Sequence, residues 1–389
     1  MKPENRLCVS ASRIACQRGF GLVELMVGMV IGLIVTAIIY QVLSTFEGVK
    51  RTTTGSAGAQ VNGAFSLSTI ERDIRAAGWG MPSADVIRCN AYQTYHDNGA
   101  SFGPVPGFPQ TPVRIVDGGN GPGASDTITV LWGSSVRANV MNLLLQDVQA
   151  NPPGTAAADM QPTTAVGMSS TGGFAWLTDD VGNCTLVRIT GSVANPVAPT
   201  TVVLSHAPAA GTALMPNYNA TAAWMSAQGW QTNFNSNPRI YDLGALTQRI
   251  FSVVNGSLQS QDYFSSAART ELASNVVALK AQYGVAAVAG GQNVSAWVSA
   301  TNGPAGNWAT PPLVDFKRIK AIRLAVVVRS PLKERPGAGG VCTITTAAPV
   351  TWPGGPTVDL SNDADWQCYR YRVFETVVPL RNVLWANLT

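Results

Sequence analysis

The sequence predicts an α+β protein in which one long N-terminal helix packs on an antiparallel, β-rich head with long loops. Two patterns carry that prediction. An apolar run from Phe20 to Tyr40 opens a stretch free of proline as far as residue 78, and further along the chain apolar residues return with the period of a half-buried strand. Composition agrees. Charged residues make up 12% of the 389, half the usual share of about 25%, while hydrophobic residues reach 46%, with 38 Gly and 24 Pro. That balance excludes a disordered tail or a coiled coil and describes a well-cored chain rich in turns. A formal charge of +4 over this length is too weak to imply nucleic-acid binding by itself. Six Cys and two His leave little material for metal or acid–base chemistry.

The helix starts abruptly. Residues 1–19 carry Lys2, Arg6, Arg13 and Arg18 against Glu4, and the next 21 residues, FGLVELMVGMVIGLIVTAIIY, hold one charge, Glu24. As a helix they would extend about 31 Å, enough to cross a bilayer core. Basic residues before the span and few after it put the C-terminal side of the span across the membrane. A cleaved secretory signal would have a shorter apolar region and a small-x-small cleavage site, and TAIIYQVLSTF offers none. A plain anchor explains the length but not Glu24, since a carboxylate inside a spanning helix costs about 2.5 to 3.5 kcal/mol and calls for a partner.

At these residues the chain resembles the class III signal of type IV prepilins and type II secretion pseudopilins: Arg18-Gly19, then Phe20-Gly21-Leu22-Val23-Glu24-Leu25 and an unbroken apolar run, with Gly21 where Thr is commoner. The resemblance implies cleavage between Gly19 and Phe20 by a prepilin peptidase/methyltransferase and N-methylation of Phe20. It also implies that Glu24 serves subunit assembly by pairing with the N-terminal amine of a neighbour, neutralising two charges in an apolar filament core. Gly28 and Gly32 form a G-x-x-x-G that suits close helix packing, though Gly is common in membrane helices generally.

Beyond the membrane the helical pattern continues. Val61, Phe65, Ile70, Ile74 and Ala77 approximate one stripe, Glu71 and Arg75 form an i,i+4 pair, and Gly78 is a C-terminal stop. The TTTGSAG stretch at Thr52–Gly58 is expected to weaken the helix as a hinge. Ser66 to Met81, SLSTIERDIRAAGWGM, resembles a stretch of the PilW-type minor pilins. Four later segments resemble the same family: GASDTITVLW (123–132), read as a strand; LASNVVALKAQYGV (272–285), read as a short helix running into a strand; FKRIKAIRLAVVVRS (316–330), with Ile322, Leu324, Val326 and Val328 on one face; and YRYRVFETVVPLRN (369–382), ending in Leu380-Arg381-Asn382.

The resemblance implies a pilin-like, non-enzymatic subunit of four parts. These are a leader (1–19), a transmembrane assembly helix (20–50), its amphipathic continuation (51–78) and a globular β-rich periplasmic head (79–389). It implies a minor pilin that primes type IV pilus assembly and sits at or near the pilus tip, in pilus biogenesis, twitching motility, adhesion or DNA uptake. Its partners would be other minor pilins, the major pilin, a tip adhesin, the peptidase and the inner membrane. A J-type pseudopilin of type II secretion is the alternative within the superfamily, and a surface- or DNA-binding tip module the alternative from another class.

Without residues 1–19, 22 basic and 21 acidic side chains remain, so the basicity is mostly an orientation signal. Four cysteines also remain. In an oxidising periplasm Cys89, Cys184, Cys342 and Cys368 read as two disulfides with three possible connectivities; the favoured one joins Cys342 to Cys368, across the loop between two C-terminal strands, and Cys89 to Cys184. Long Gly/Pro-rich stretches (90–125, 150–182, 191–238, 286–312 and 335–365) read as loops, and their Trp residues either anchor them or offer contact surface. No cofactor is expected. The H-E-x-x-H, G-x-S-x-G and G-x-x-x-x-G-K-[ST] motifs are absent. His96 and His206 stand alone in polar loops, Asp117 and Asp126 lack the EF-hand pattern, and no metal site is expected. Nucleic acid is not an expected partner, since Arg323 and Arg329, within the basic run 317–335, fall on the exposed face of a strand.

Overall fold

The computed structural model describes residues 21–82, 89, 91–105, 111–137, 140–145, 148–149, 159–164, 166–168, 171–194, 202–212, 215–265, 268–303, 306–337 and 339–382. The chain divides into two compact units, Met1–Thr54 and Gly55–Thr389. Helix α1 runs without interruption over Leu22–Ala76 and supplies the described part of the first unit and the opening element of the second.

In the second unit α1 buries Gly55, Ala59, Gly63, Ser66, Ile70, Asp73 and Ile74. Their spacing of three and four residues is that of one helix face. The expected stripe is thus only partly correct. Ile70, Ile74 and Ala77 lie in the core, but Val61 is 68% and Phe65 49% exposed. The upper half of the buried face is made of Gly, Ala and Ser, which an apolar-periodicity search passes over. Close approach is their use: a Cβ on Gly55 would stand 3.4 Å from Ser330 Cβ, and one on Gly63 would fall 2.0 Å from Cε2 of Phe374. The Thr52–Gly58 stretch is helical.

The three larger sheets use strands β1 (Ala91–Gln93), β2 (Val113–Val116), β3 (Thr127–Gly133), β4 (Asn142–Leu143), β5 (Phe174–Thr178), β6 (Asn183–Arg188), β7 (Arg239–Gly244), β8 (Leu246–Val254), β9 (Ser257–Asp262), β10 (Arg269–Ser274), β11 (Val276–Val285), β12 (Ala296–Val298), β13 (Ile319–Arg329) and β14 (Tyr371–Pro379). One sheet has the order β12-β11-β13-β14, a second β10-β9-β8-β3-β2, a third β1-β6-β5-β7-β4. The first two are antiparallel throughout; in the third, β1 pairs parallel to β6.

Ile322, Leu324, Val326 and Val328 share the inner face of β13 and join Ala59, Ile70 and Ile74 of α1 in the main core, with Val113, Ile115, Val130 and Phe251 from the second sheet. The Ile115 amide donates to the Tyr283 hydroxyl at 2.6 Å, tying β2 to β11. The outer face of the first sheet is also covered. Val358 and Leu360, in the loop closed by Cys342–Cys368, pack on Ala278 and Val327. The second disulfide, Cys89–Cys184, with Cα atoms 5.6 Å apart, fastens the chain before β1 to β6. Both pairings are those favoured by the sequence. In the entropic account, loops of this size contribute about 3 to 5 kcal/mol each.

Two expectations for the head are corrected. Residues 272–285 hold no helix. They form the end of β10 and all of β11, separated by Asn275 at φ +60°, a left-handed position that Asn tolerates. The stretches 150–182 and 191–238 are not simply loops, since β5 and the strand Val202–Ser205 lie within them. All five residues of β5 are buried: Ala175 and Leu177 enter one core and Phe174 and Trp176 another. A strand covered on both faces has no period-2 alternation to find. The Trp residues anchor. Trp176, Trp308 and Trp352 are buried, and Trp224, Trp230 and Trp366 pack on core clusters.

Replacing Gly63 by Ala should test the helix–sheet spacing. Helix propensity alone would stabilise the chain by up to about 1 kcal/mol, whereas forcing a methyl into a packed ring costs about 1 to 3 kcal/mol. Gly63→Ala should therefore lower the unfolding midpoint of the head, and Phe374→Leu in the same chain should restore it. A stabilised single variant in urea titrations would refute the close approach.

Candidate functional site

Two regions of the chain hold the residues singled out by sequence. The first is the apolar part of α1. Between residues 21 and 46 Glu24 is the only charge, and Leu22, Leu25, Met29, Leu33, Ile38 and Phe46 are all exposed, as is nearly every side chain from 21 to 50. The helix is long and apolar enough to cross a membrane. Its Ser and Thr hydroxyls are satisfied within it: Thr36 donates to the Gly32 carbonyl at 2.7 Å, and Ser44 and Thr45 to that of Gln41 at 2.9 Å. Hydroxyls in hydrocarbon need such partners. Gly28 and Gly32 face open space. A helix apolar all round and uncovered is not a stable surface in water; it belongs in lipid or among other helices. Glu24 lies in its first turn, where the helix dipole favours a carboxylate. Gly19 and Phe20 lie outside the described residues.

The second region is the C-terminal end of α1. In the ERDIRAAGWG segment, Asp73 is buried and receives Arg249 Nη1 of β8 at 2.8 Å and Arg72 Nε at 3.4 Å. Arg249 also lies over the Trp132 ring of β3, 5.5 Å from its centroid. Glu71 pairs with Arg75 on the outer side. Gly78 and Gly80, both at positive φ, then turn the chain along β3: the Gly78 amide donates to Leu131 O at 2.9 Å, and Gly133 N to Trp79 O at 2.7 Å. At Gly80 a Cβ would stand 2.6 Å from the Gly133 carbonyl, so only glycine fits. Asn382 closes the end, its amide donating to Ala77 O at 2.9 Å and Ala76 O at 3.4 Å. It supplies donors for carbonyls that a helix end leaves orphaned. Two segments about 300 residues apart, ERDIRAAGWG and LRN, thus form one junction.

The rejected sites take other roles. Asp126 is buried against Lys280 (3.1 Å) and accepts the amides of Gly118 and Ala281, so an ammonium stands where a calcium ion would need that carboxylate; burial raises the carboxyl pKa above its ordinary value. His96 and His206 are both buried, His96 in the short strand His96–Asp97 and His206 in the loop just after the strand Val202–Ser205. His96 packs on Tyr218 and Tyr263, and burial holds its imidazole below the usual histidine range. Arg323 and Arg329 do project from the outer face of β13, but that face is covered: Arg323 lies between Trp297 and Trp352, and Arg329 pairs with Asp363 at 2.6 Å over the Tyr369 ring. Among the described residues no group of His, Cys, Asp and Glu is arranged to hold a metal. Lys320, 1% exposed, has no pattern in the sequence to mark it. Its ammonium has no hydrogen-bond partner among the described residues, and burial lowers its pKa.

An uncovered apolar helix that continues into a disulfide-closed β head is the α+β architecture expected of a pilin-type subunit. Comparison with protein families agrees. Residues 14–40 match the prokaryotic N-terminal methylation motif, and residues 248–382 match the type IV pilus-assembly protein W family, PilW. The two matches are to PilW-family pilins that carry a class III signal, and they support a protein related to the type IV pilus. The second match begins beside Arg249 and ends at Asn382, the two residues that meet the end of α1. No curated protein and no solved structure matched the chain.

Asp73→Ala should destabilise the head by about 2 to 3 kcal/mol, below the 3 to 5 kcal/mol of a fully buried pair because Arg249 is partly exposed. The double replacement of Asp73 and Arg249 by Leu should recover most of the loss in urea titrations. Lys320→Met should raise the thermal midpoint. The buried ammonium penalises the fold while it is charged, and the penalty disappears as pH rises through the lowered folded-state pKa toward the unfolded value of about 10.4. The gap between variant and wild type should therefore be largest near neutral pH and narrow on the alkaline side.

Proposed function

We propose that this protein is a minor pilin that primes type IV pilus assembly and is carried at or near the pilus tip. Before assembly it is a single-pass inner-membrane protein with a periplasmic head. The observation that best supports this reading is the helix exposed along its entire apolar length, which needs lipid first and neighbouring helices afterwards. Residues 1–19 act as the leader, cut between Gly19 and Phe20. Cutting there removes the basic residues but leaves the apolar helix attached, so one segment is both anchor and filament core. Phe20 is then N-methylated, and residues 20–50 and 51–78 are the assembly helix and its amphipathic continuation, with 79–389 as the head.

Glu24 is the fifth residue of such a mature chain. In an apolar bundle its carboxylate is costly alone, and the N-terminal amine of an adjacent subunit is the opposite charge nearest in depth. The partners are other minor pilins, the major pilin and a tip adhesin. The work is mechanical rather than catalytic.

Deleting the gene should abolish or sharply reduce surface pili and twitching. Intact pili with lost exoprotein secretion would instead identify a type II secretion pseudopilin, and normal pilus number with lost adhesion or DNA uptake a tip-binding module. Replacing Gly19 should leave a 389-residue form in membranes, and normal processing of that variant would refute the cleavage position. Glu24→Ala should be processed yet fail to support piliation; wild-type pilus numbers would exclude the assembly role.

A further inference from the structure

A small polar cavity of about 90 Å³ opens on the head where four segments meet: the loop joining β2 to β3, strand β11, Ser299 after β12, and the turn at Trp352–Pro356. Asp117, Asn120, Lys280, Gln282, Ser299 and Trp352 line it. At about 30 Å³ each, three waters would fill it. Its floor is fixed, since the buried Asp126–Lys280 pair is held by the amides of Gly118 and Ala281 and by the Gly119 carbonyl. Its rim is not satisfied internally. The Asn120 side chain is free of protein partners among the described residues, Asp117 accepts only from Gly119 N, and Gln282 donates to Ser299 Oγ at 3.2 Å while its carbonyl oxygen stays open. Trp352 stands at the side, steadied by Arg323, whose guanidinium lies 5.5 Å from the Trp352 ring centroid and 4.4 Å from that of Trp297.

The charges decide what this cavity accepts. A cation would find Asp117 alone, because Lys280 already holds Asp126, and among the described residues no group of three His, Cys, Asp or Glu stands ready to ligate it. An anion would meet two carboxylates, only one of which is neutralised. The remaining chemistry is an uncharged group that both donates and accepts at neighbouring positions. Adjacent hydroxyls on a sugar ring meet that description, each able to donate to Asp117 or to the Gln282 carbonyl and to accept from Asn120. We propose that this cavity is a subsite for a neutral saccharide, taking two adjacent hydroxyls of one sugar residue. The proposal does not depend on the pilus reading.

The full chain, in a zwitterionic detergent that contains no sugar, should be titrated with the methyl glycosides of glucose, galactose, mannose and N-acetylglucosamine by saturation-transfer NMR. At least one glycoside should bind saturably in the millimolar range. Asn120→Ala and Gln282→Ala should each weaken that binding by about fivefold or more, the worth of one neutral hydrogen bond, while keeping both disulfides and the wild-type thermal midpoint. Absence of saturable binding for all four glycosides would overturn the proposal, as would unchanged affinity in both variants.

Discussion

The distance between α1 and the first sheet governs the head. Gly55, Ala59, Gly63 and Ser66 present almost no side chain, so the helix backbone approaches β14 and the chain after β13 closely enough for Phe374 to fill the place of a Gly63 side chain. Dispersion falls steeply with separation, and a stripe of small residues gains contact that larger ones would lose by holding the surfaces apart. Further along, the face changes to Ile70 and Ile74, which enter the main core with both the first and second sheets. The helix thus closes the space above two sheets.

That geometry gives the junction its polar character. Where α1 ends, backbone carbonyls lose their partners in a place that is largely buried. Asn382 answers two of them and the Gly78–Gly80 turn passes the chain to β3. Asp73 is buried beside this turn, a position tolerable only with a partner, and Arg249 provides it from β8. A buried ion pair adds little stability over an apolar pair of the same volume, but losing one member is expensive. Its effect here is to fix which turn of the helix faces β8. An apolar stripe of Ala and Ile specifies that less sharply, because a shift by one turn would still bury apolar surface.

How much of this was legible in sequence depended on the kind of signal. The 21-residue apolar run and Glu24 needed only composition. The inner face of β13 was plain because Ile322 to Val328 alternate cleanly. The disulfide pairing followed from the position of the two C-terminal cysteines in one loop. The helix stripe was half found, because its upper residues are small rather than apolar. The third sheet was missed because β5, covered on both sides, shows no alternation, and because its neighbours are short. One local signal was present but unused: Asn255-Gly256, with φ of +51° and +74°, is the two-residue hairpin turn between β8 and β9 that such a dipeptide favours. The role of Asp73 could not be found locally, since its partner lies 176 residues away.

The third sheet lies outside the PilW match, which starts at residue 248. It has a core of its own on one face of β5 and its own disulfide, and on the other face it shares a core with Leu131 of β3 and Leu246 of β8. The matched part is different. Its strands β8, β11, β13 and β14 all touch the core that α1 closes, so changes there move the helix as well. Physical constraint is therefore concentrated where α1 is held, and it is weaker on the face of β5 whose core, with Ala175 and Leu177, is confined to segments outside the first two sheets. Such an arrangement lets the outer part of the head vary in shape and contacts while the position of α1 on its sheets stays the same.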